Sequence, residues 1–261
     1  MDLGLESVPA AVAAASRGLG LAIATELAME GANVAICGRT KDSLEDAATS
    51  IRSKSGRSVH AVVGDVATAD GAKLFMQEAA EVLGGLQVLV TNAGGPPPGP
   101  PASMNDEQWL DAIHLNFLSA VRMVREALPH IERNEWGRIL AVTSTTVKQP
   151  APQLALSNAA RAATNAFMKS LADEIAGKGI TVNCLMPGQI ATQRLATLAG
   201  APTGADASDP AFAAMAGQIP LGRVGEPEEF AAVAAFLCSK RASFVNGAAI
   251  QVDGGYVRSV W

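Results

Sequence analysis

The first residues able to do chemistry lie near the start of the chain. Ala14-Ala15-Ser16-Arg17-Gly18-Leu19-Gly20 is a glycine-containing turn between a short apolar run and a helix-like stretch. A strand, such a turn and a helix start together make an anion site. The leading amides and the positive dipole end of the helix face the charge. Gly18 and Gly20 remove side chains where backbone and phosphate would approach. This arrangement points to a dinucleotide site. An acid that holds a ribose 2′-hydroxyl belongs at the end of the second strand. That end reads Cys37-Gly38-Arg39-Thr40 and has none. Arg39 there and Arg17 in the turn suit a 2′-phosphate. NADP(H) is therefore favoured, with NAD(H) kept as the alternative.

Other reactive side chains are more scattered. Ser157 and Arg161 stand four apart in a helical stretch, one turn apart on one face. Lys148 follows Ser144 by four, where it could reach into a crevice, and a desolvated lysine can donate a proton. His114 precedes Asn116 by two, so a helix turns them to different faces. His60 and His130 have no supporting groups nearby. Tyr256, the single tyrosine, sits near the C-terminus and reads as a packing residue. Cys184 lies within an apolar run and reads as a small core residue.

The elements that must carry these residues alternate. Residues 9–13, 33–37, 58–63, 87–91, 138–143, 180–186 and 249–252 are strand-like. Residues 19–29, 42–52, 70–83, 106–133, 153–176 and 226–237 are helix-like, with a kink expected near His114. The strands are continuous apolar runs, as required when both sheet faces are covered. Repeated β-then-α order predicts an α/β, Rossmann-like doubly wound parallel sheet with helices on both faces. Residues 1–261 form one domain, because no linker divides them. Two stretches are irregular: 94–101 (GGPPPGPP), and 189–218, a candidate substrate lid.

Composition removes several other classes of function. The chain is 49% apolar and 17% charged, which excludes disorder. A net charge of −5 and a pI near 5.3 give no support for nucleic acid or an anionic membrane as partner. Cys37, Cys184 and Cys238 are far apart, so neither a disulfide framework nor a metal site is expected. A reducing cytoplasm is the default location. The opening MDLGLESVP lacks the basic start of a signal peptide. No apolar run approaches the roughly 20 residues of a membrane helix.

Several motifs then coincide in order. Gly18-x-Gly20 is followed by Gly64-Asp65-Val66, Asn92-Ala93-Gly94, Asn116, Ser144 and Pro187-Gly188-Gln189-Ile190-Ala191-Thr192. Near the end stand Pro220-Leu221-Gly222-Arg223-Val224-Gly225-Glu226-Pro227 and Val252-Asp253-Gly254-Gly255. Over nearly its whole length the chain resembles the short-chain dehydrogenase/reductase family, in its 3-oxoacyl-acyl-carrier-protein reductase branch. The resemblance implies that Asp65 and Val66 contact adenine. It implies that Asn92, Ala93 and Gly94 line the cofactor and that Pro187, Gly188, Ile190 and Thr192 border the nicotinamide. Ala14, Ser16 and Leu19 complete the phosphate turn. Asn116 would hold a water in a proton relay, and Ser144 would bond the substrate carbonyl. A carbonyl or alcohol substrate and a homo-oligomer, tetramer or dimer, are implied as well. The pairing helices would be 106–133 and 153–176, the latter with a small face of Ala155, Ala159, Ala163 and Ala166.

The pattern departs from the family at three places. Where the family has tyrosine, 13 residues after the serine, this chain has Ser157; where it has lysine, four further on, it has Arg161. Ala14 replaces the first glycine of the turn. A phenol starts near pKa ~10 and a neighbouring lysine lowers it. An aliphatic hydroxyl is far less acidic and shorter, so Ser157 is a weaker general acid. Arg161 keeps the charge and could grip ribose hydroxyls, but it does not release its proton. Three functions are compatible with this. One is an NADP(H)-dependent oxidoreductase with an altered proton donor. Another is a non-catalytic protein that binds a dinucleotide or a partner. The third is a structural subunit of a mixed oligomer. Ser144 and Ser157 facing each other could also receive a polar substrate of a different kind.

Overall fold

The computed structural model describes residues 1–260. Its strands are β1 (Pro9–Val12), β2 (Asn33–Gly38), β3 (Val59–Val63), β4 (Val88–Thr91), β5 (Gly137–Val142), β6 (Ile180–Pro187) and β7 (Ala249–Val252). They form one sheet in the order β3-β2-β1-β4-β5-β6-β7, and every pairing is parallel. The main crossover helices are α1 (Gly18–Met29), α2 (Lys41–Ser55), α3 (Ala69–Leu83), α4 (Asp106–Ile113), α5 (Ser119–Ile131) and α6 (Ala155–Ile175). After β6 come α7 (Gln193–Ala199), α8 (Ala213–Ala216) and α9 (Pro227–Leu237).

Successive strand residues point to opposite faces, so each strand feeds two cores. Ala10, Val12, Val34, Ile36, Val88 and Val90 face Ile23, Leu27, Leu44, Ile51 and Phe230, from α1, α2 and α9. Ala11, Ala35, Cys37, Leu89 and Cys184 face Phe75, Met123 and Met168, from α3, α5 and α6. That double burial is why the strands read as unbroken apolar runs. Cys37, Cys184 and Cys238 are buried and unpaired by disulfides, and burial is the main cause that pushes each thiol up to about 12.

The expected kink at His114 is a π-helical turn over His114–Leu118, between α4 and α5. Widening the helix there frees the Asn116 carbonyl, which accepts from Thr164 Oγ1 of α6 at 2.9 Å. The 189–218 stretch is more ordered than its composition indicates. It holds α7 and α8, and its Leu195, Ala196 and Phe212 join Ile219 and Val224 just beyond it in a separate apolar cluster. The excursion also runs further than expected, because a bridge between Ile190 and Gly225 closes its base. Among the described residues no helix is long and apolar enough to cross a membrane, and no cluster of metal-ligating side chains occurs.

Candidate active site

Strand order reverses between β1 and β4, and the carboxyl ends of the strands at such a switch point are where open parallel sheets have their ligand crevice. The glycine turn forms one wall. No side chain caps the start of α1, so its leading amides stay available to a ligand. Gly20 is obligatory, since a methyl group there would overlap the Ala14 carbonyl oxygen. Ala14 itself has φ +49°, the left-handed region where a side chain is strained. Asn92 Nδ2 donates to the Ala13 and Ala14 carbonyls at 3.3 Å each and pins the turn to the end of β4. Ser16 packs beside Gly38 at the end of β2, and Gly18 lies against the Thr192 methyl. Leu19 packs on the core.

Arg17 and Arg39 are exposed, and neither side chain makes a hydrogen bond or ion pair among the described residues. Asp65 Oδ1 accepts from the Ala67 amide at 3.0 Å, and Val66 is buried beneath it. Pro187 accepts from Thr145 Oγ1 at 3.2 Å, Gly188 crosses close over Asp253, and Ile190 is buried. Thr192 caps α7 through Leu195 N at 3.3 Å. The turn, the ends of β2, β4 and β6 and the start of α7 thus converge on one crevice.

The reactive side chains lie deeper. Asn116 is buried in the π turn; its Nδ2 donates to the Gly94 carbonyl at 2.8 Å and its Oδ1 has no protein partner. It borders a cavity of about 10 Å³ that also touches Asn92, Arg161 and Thr164. That is the size of about one water. Gly94 is exposed, with open space where a side chain would stand. Ser144 Oγ accepts from the Thr146 amide at 3.1 Å, which leaves its own proton free to donate. Ser157 is 8% exposed, and its Oγ accepts from Arg161 Nε at 3.2 Å. Arg161 Nη1 donates to the Val142 and Thr143 carbonyls at 3.0 Å, and Nη2 reaches Ala93 O at 3.5 Å. One N–H remains of the five a guanidinium carries, so Arg161 is an anchored charge more than a free hand for ribose. Burial first, and the charge of Arg194 second, push it down to about 10.

Other side chains are held elsewhere. Lys148 Nζ donates to Gln251 Oε1 of β7 at 3.4 Å. Tyr256 packs on the apolar cluster of the 191–224 excursion. His114 is exposed while Asn116 is buried, as their spacing predicts. Ser144 and Ser157 do not bond each other. Arg194 of α7 was not singled out from sequence, yet it reaches back to the segment that leaves β4, donating to Pro96 O. Its only sequence signal is that it is the one cation in α7. A separate cavity of about 760 Å³, beside Trp136 and the fully exposed Phe244, lies at the amino ends of β5 and β6. Open parallel sheets bind at the other edge.

Comparison with known proteins agrees with this fold. A family model described as enoyl-(acyl carrier protein) reductase matches residues 13–257. Dehydrogenase/reductase SDR family member 4 of Sus scrofa is 32% identical over 252 residues, 96% of this chain and 88% of that one. The 3-oxoacyl-[acyl-carrier-protein] reductase of Staphylococcus aureus is 34% identical over 247 residues, 94% of this chain and 96% of that one. The structure of L-sorbose reductase from Gluconobacter frateurii, complexed with NADPH and L-sorbose, superposes with a TM-score of 0.93 at 33% identity, covering 100% of both chains.

Proposed function

The chain belongs to the short-chain dehydrogenase/reductase family of oxidoreductases, and from that premise we propose that it is an NADP(H)-dependent carbonyl reductase or alcohol dehydrogenase whose proton donor is altered. The observation that carries the cofactor half is the pair of unpartnered arginines, Arg17 and Arg39, flanking an uncapped α1. Similar structures supply support, since L-sorbose reductase was solved with NADPH. When bound, the cofactor supplies or accepts a hydride at the carbonyl carbon. The α1 amides with Gly18, Leu19 and Gly20 would hold the pyrophosphate, and Ser16, Arg17 and Arg39 the phosphorylated ribose. Asp65 and Val66 would border the adenine. Ala93, Gly94, Pro187, Gly188, Ile190 and Thr192 would border the nicotinamide.

The protein's own work is proton handling. Ser144 holds the substrate oxygen with the proton left free by its Thr146 contact. Ser157 takes the donor's role. A guanidinium N–H pointing at Ser157 Oγ stabilises the oxygen as its proton leaves. Asn116 Oδ1 and the small cavity beside it hold a water that returns the proton. The excursion over 191–224 acts as the lid over the substrate. A 3-oxoacyl thioester or a smaller ketone is the substrate class. The long helices and the β7 edge pair copies into a homo-oligomer, which sedimentation velocity checks.

The cofactor reading predicts tight NADPH binding and weak NADH binding in a fluorescence titration. Arg39→Ala should weaken NADPH at least tenfold and leave NADH unchanged. Equal loss for both would sink the 2′-phosphate assignment. A second reading, binding without turnover, is favoured by one observation: Arg161 uses nearly all its donors on backbone carbonyls. Turnover by the native chain that disappears in Ser144→Ala supports the enzyme. A silent native chain that gains activity as Ser157→Tyr with Arg161→Lys supports the binding role.

A further inference from the structure

Two guanidinium groups bracket the segment that leaves β4. Arg161 donates from below to Ala93 O at 3.5 Å. Arg194 donates to Pro96 O at 2.8 Å, and its Nε lies 3.0 Å from where a side chain on Gly95 would begin. The two charges feel each other strongly enough that Arg194 contributes to lowering Arg161. No carboxylate answers them. None of the six ion pairs among the described residues includes either arginine. Holding two like charges together, each partly withdrawn from water, is unfavourable unless an anion arrives. The setting is sharper because the chain as a whole carries −5.

The two differ in what they can still do. Arg161 has almost no donors left. Arg194 uses one contact and keeps the rest of its planar fork, which matches a carboxylate in two-point geometry. Its position argues against the cofactor's pyrophosphate. That group's seat is the start of α1, and the residue of this loop facing Gly18 is Thr192. Arg194 lies two residues further and turns to Gly95 and Pro96. We propose that Arg194, backed by the fixed charge of Arg161, receives the carboxylate of the substrate, so that the chain acts on an oxo acid in preference to an uncharged ketone. The proposal rests on the reading of the crevice as a cofactor and substrate site.

The test titrates protein saturated with NADP⁺, in which no reduction can occur. The probes are pyruvate, acetoacetate and phenylpyruvate, each paired with its methyl ester, and calorimetry reads the binding. At least one acid should bind tenfold or more tighter than its ester. Arg194→Leu should erase that preference while NADP⁺ affinity stays within twofold. Arg194→Lys, which keeps charge but not the fork, should fall between. Acid and ester bound equally in all three pairs, with NADP⁺ bound normally, would overturn this inference and leave the cofactor reading standing. A tenfold loss of NADP⁺ affinity in Arg194→Leu would overturn it by assigning the charge to the cofactor's phosphates. A native chain that binds no NADP⁺ would overturn both readings.

Discussion

Ala14 holds a backbone conformation that suits glycine. Its φ of +49° brings its carbonyl under Gly20 and in reach of Asn92. An L side chain there is strained by ~1 kcal/mol or more, and glycine's larger unfolded-state entropy offsets part of any relief. Ala14→Gly should raise stability by up to about 1 kcal/mol, or ~2 °C in melting temperature for a chain this size. A thermal melt checks it, and an unchanged or lower midpoint would mean that the turn has relaxed around alanine. From sequence the replacement was visible but its φ was not, because that angle is set by contacts with Gly20 and Asn92. Arg161 shows the same division. Its spacing from Ser157 placed both on one face, as observed. That its donors would be taken by Val142 and Thr143 is a fact about where β5 ends relative to α6.

Among elements, α9 opens on the most tightly organised charge cluster. Arg223 forks onto Glu229 at 2.6 and 2.7 Å, and Glu229 also accepts from the Glu226 amide at 2.8 Å. The Arg223 hydrogen bonds first, and the Glu226 amide second, hold the Glu229 carboxyl down to about 2. A carboxylate lowered on folding contributes stability above its unfolded value near 4.5, and that contribution fades as pH falls through about 2. Side chains nearly half exposed, at 48% and 45%, keep the effect small. Glu229→Gln should therefore melt slightly below the native chain at pH 7, and the two curves should merge near pH 2. A gap that persists in acid would assign the loss to packing instead. The strands and long helices were legible within a few residues, because apolar period and glycine stops fix them locally. The order inside 191–224 was not. Its apolar residues are sparse in sequence, and only the bridge between Ile190 and Gly225 folds them onto one another.

At the scale of the molecule, stability is unevenly distributed. Two large cores clamp the sheet from either face, while the cluster around Phe212 stands apart over the crevice. Regions with little buried surface open first. Phe212 is 1% exposed, and Phe212→Ala should speed amide exchange through 191–224 while the sheet stays protected. Exchange that rises equally everywhere would show that the excursion and the sheet unfold as one unit. Such a separable cover is what a crevice needs if substrate must enter and leave. The sheet's other legacy is its sulfur. With all three thiols buried and pushed up to about 12, almost none is thiolate at neutral pH. The folded chain is therefore silent to alkylating reagents, and each label it acquires marks a molecule that has come open. Residues that serve only to fill space thus give the protein a built-in gauge of its own unfolding.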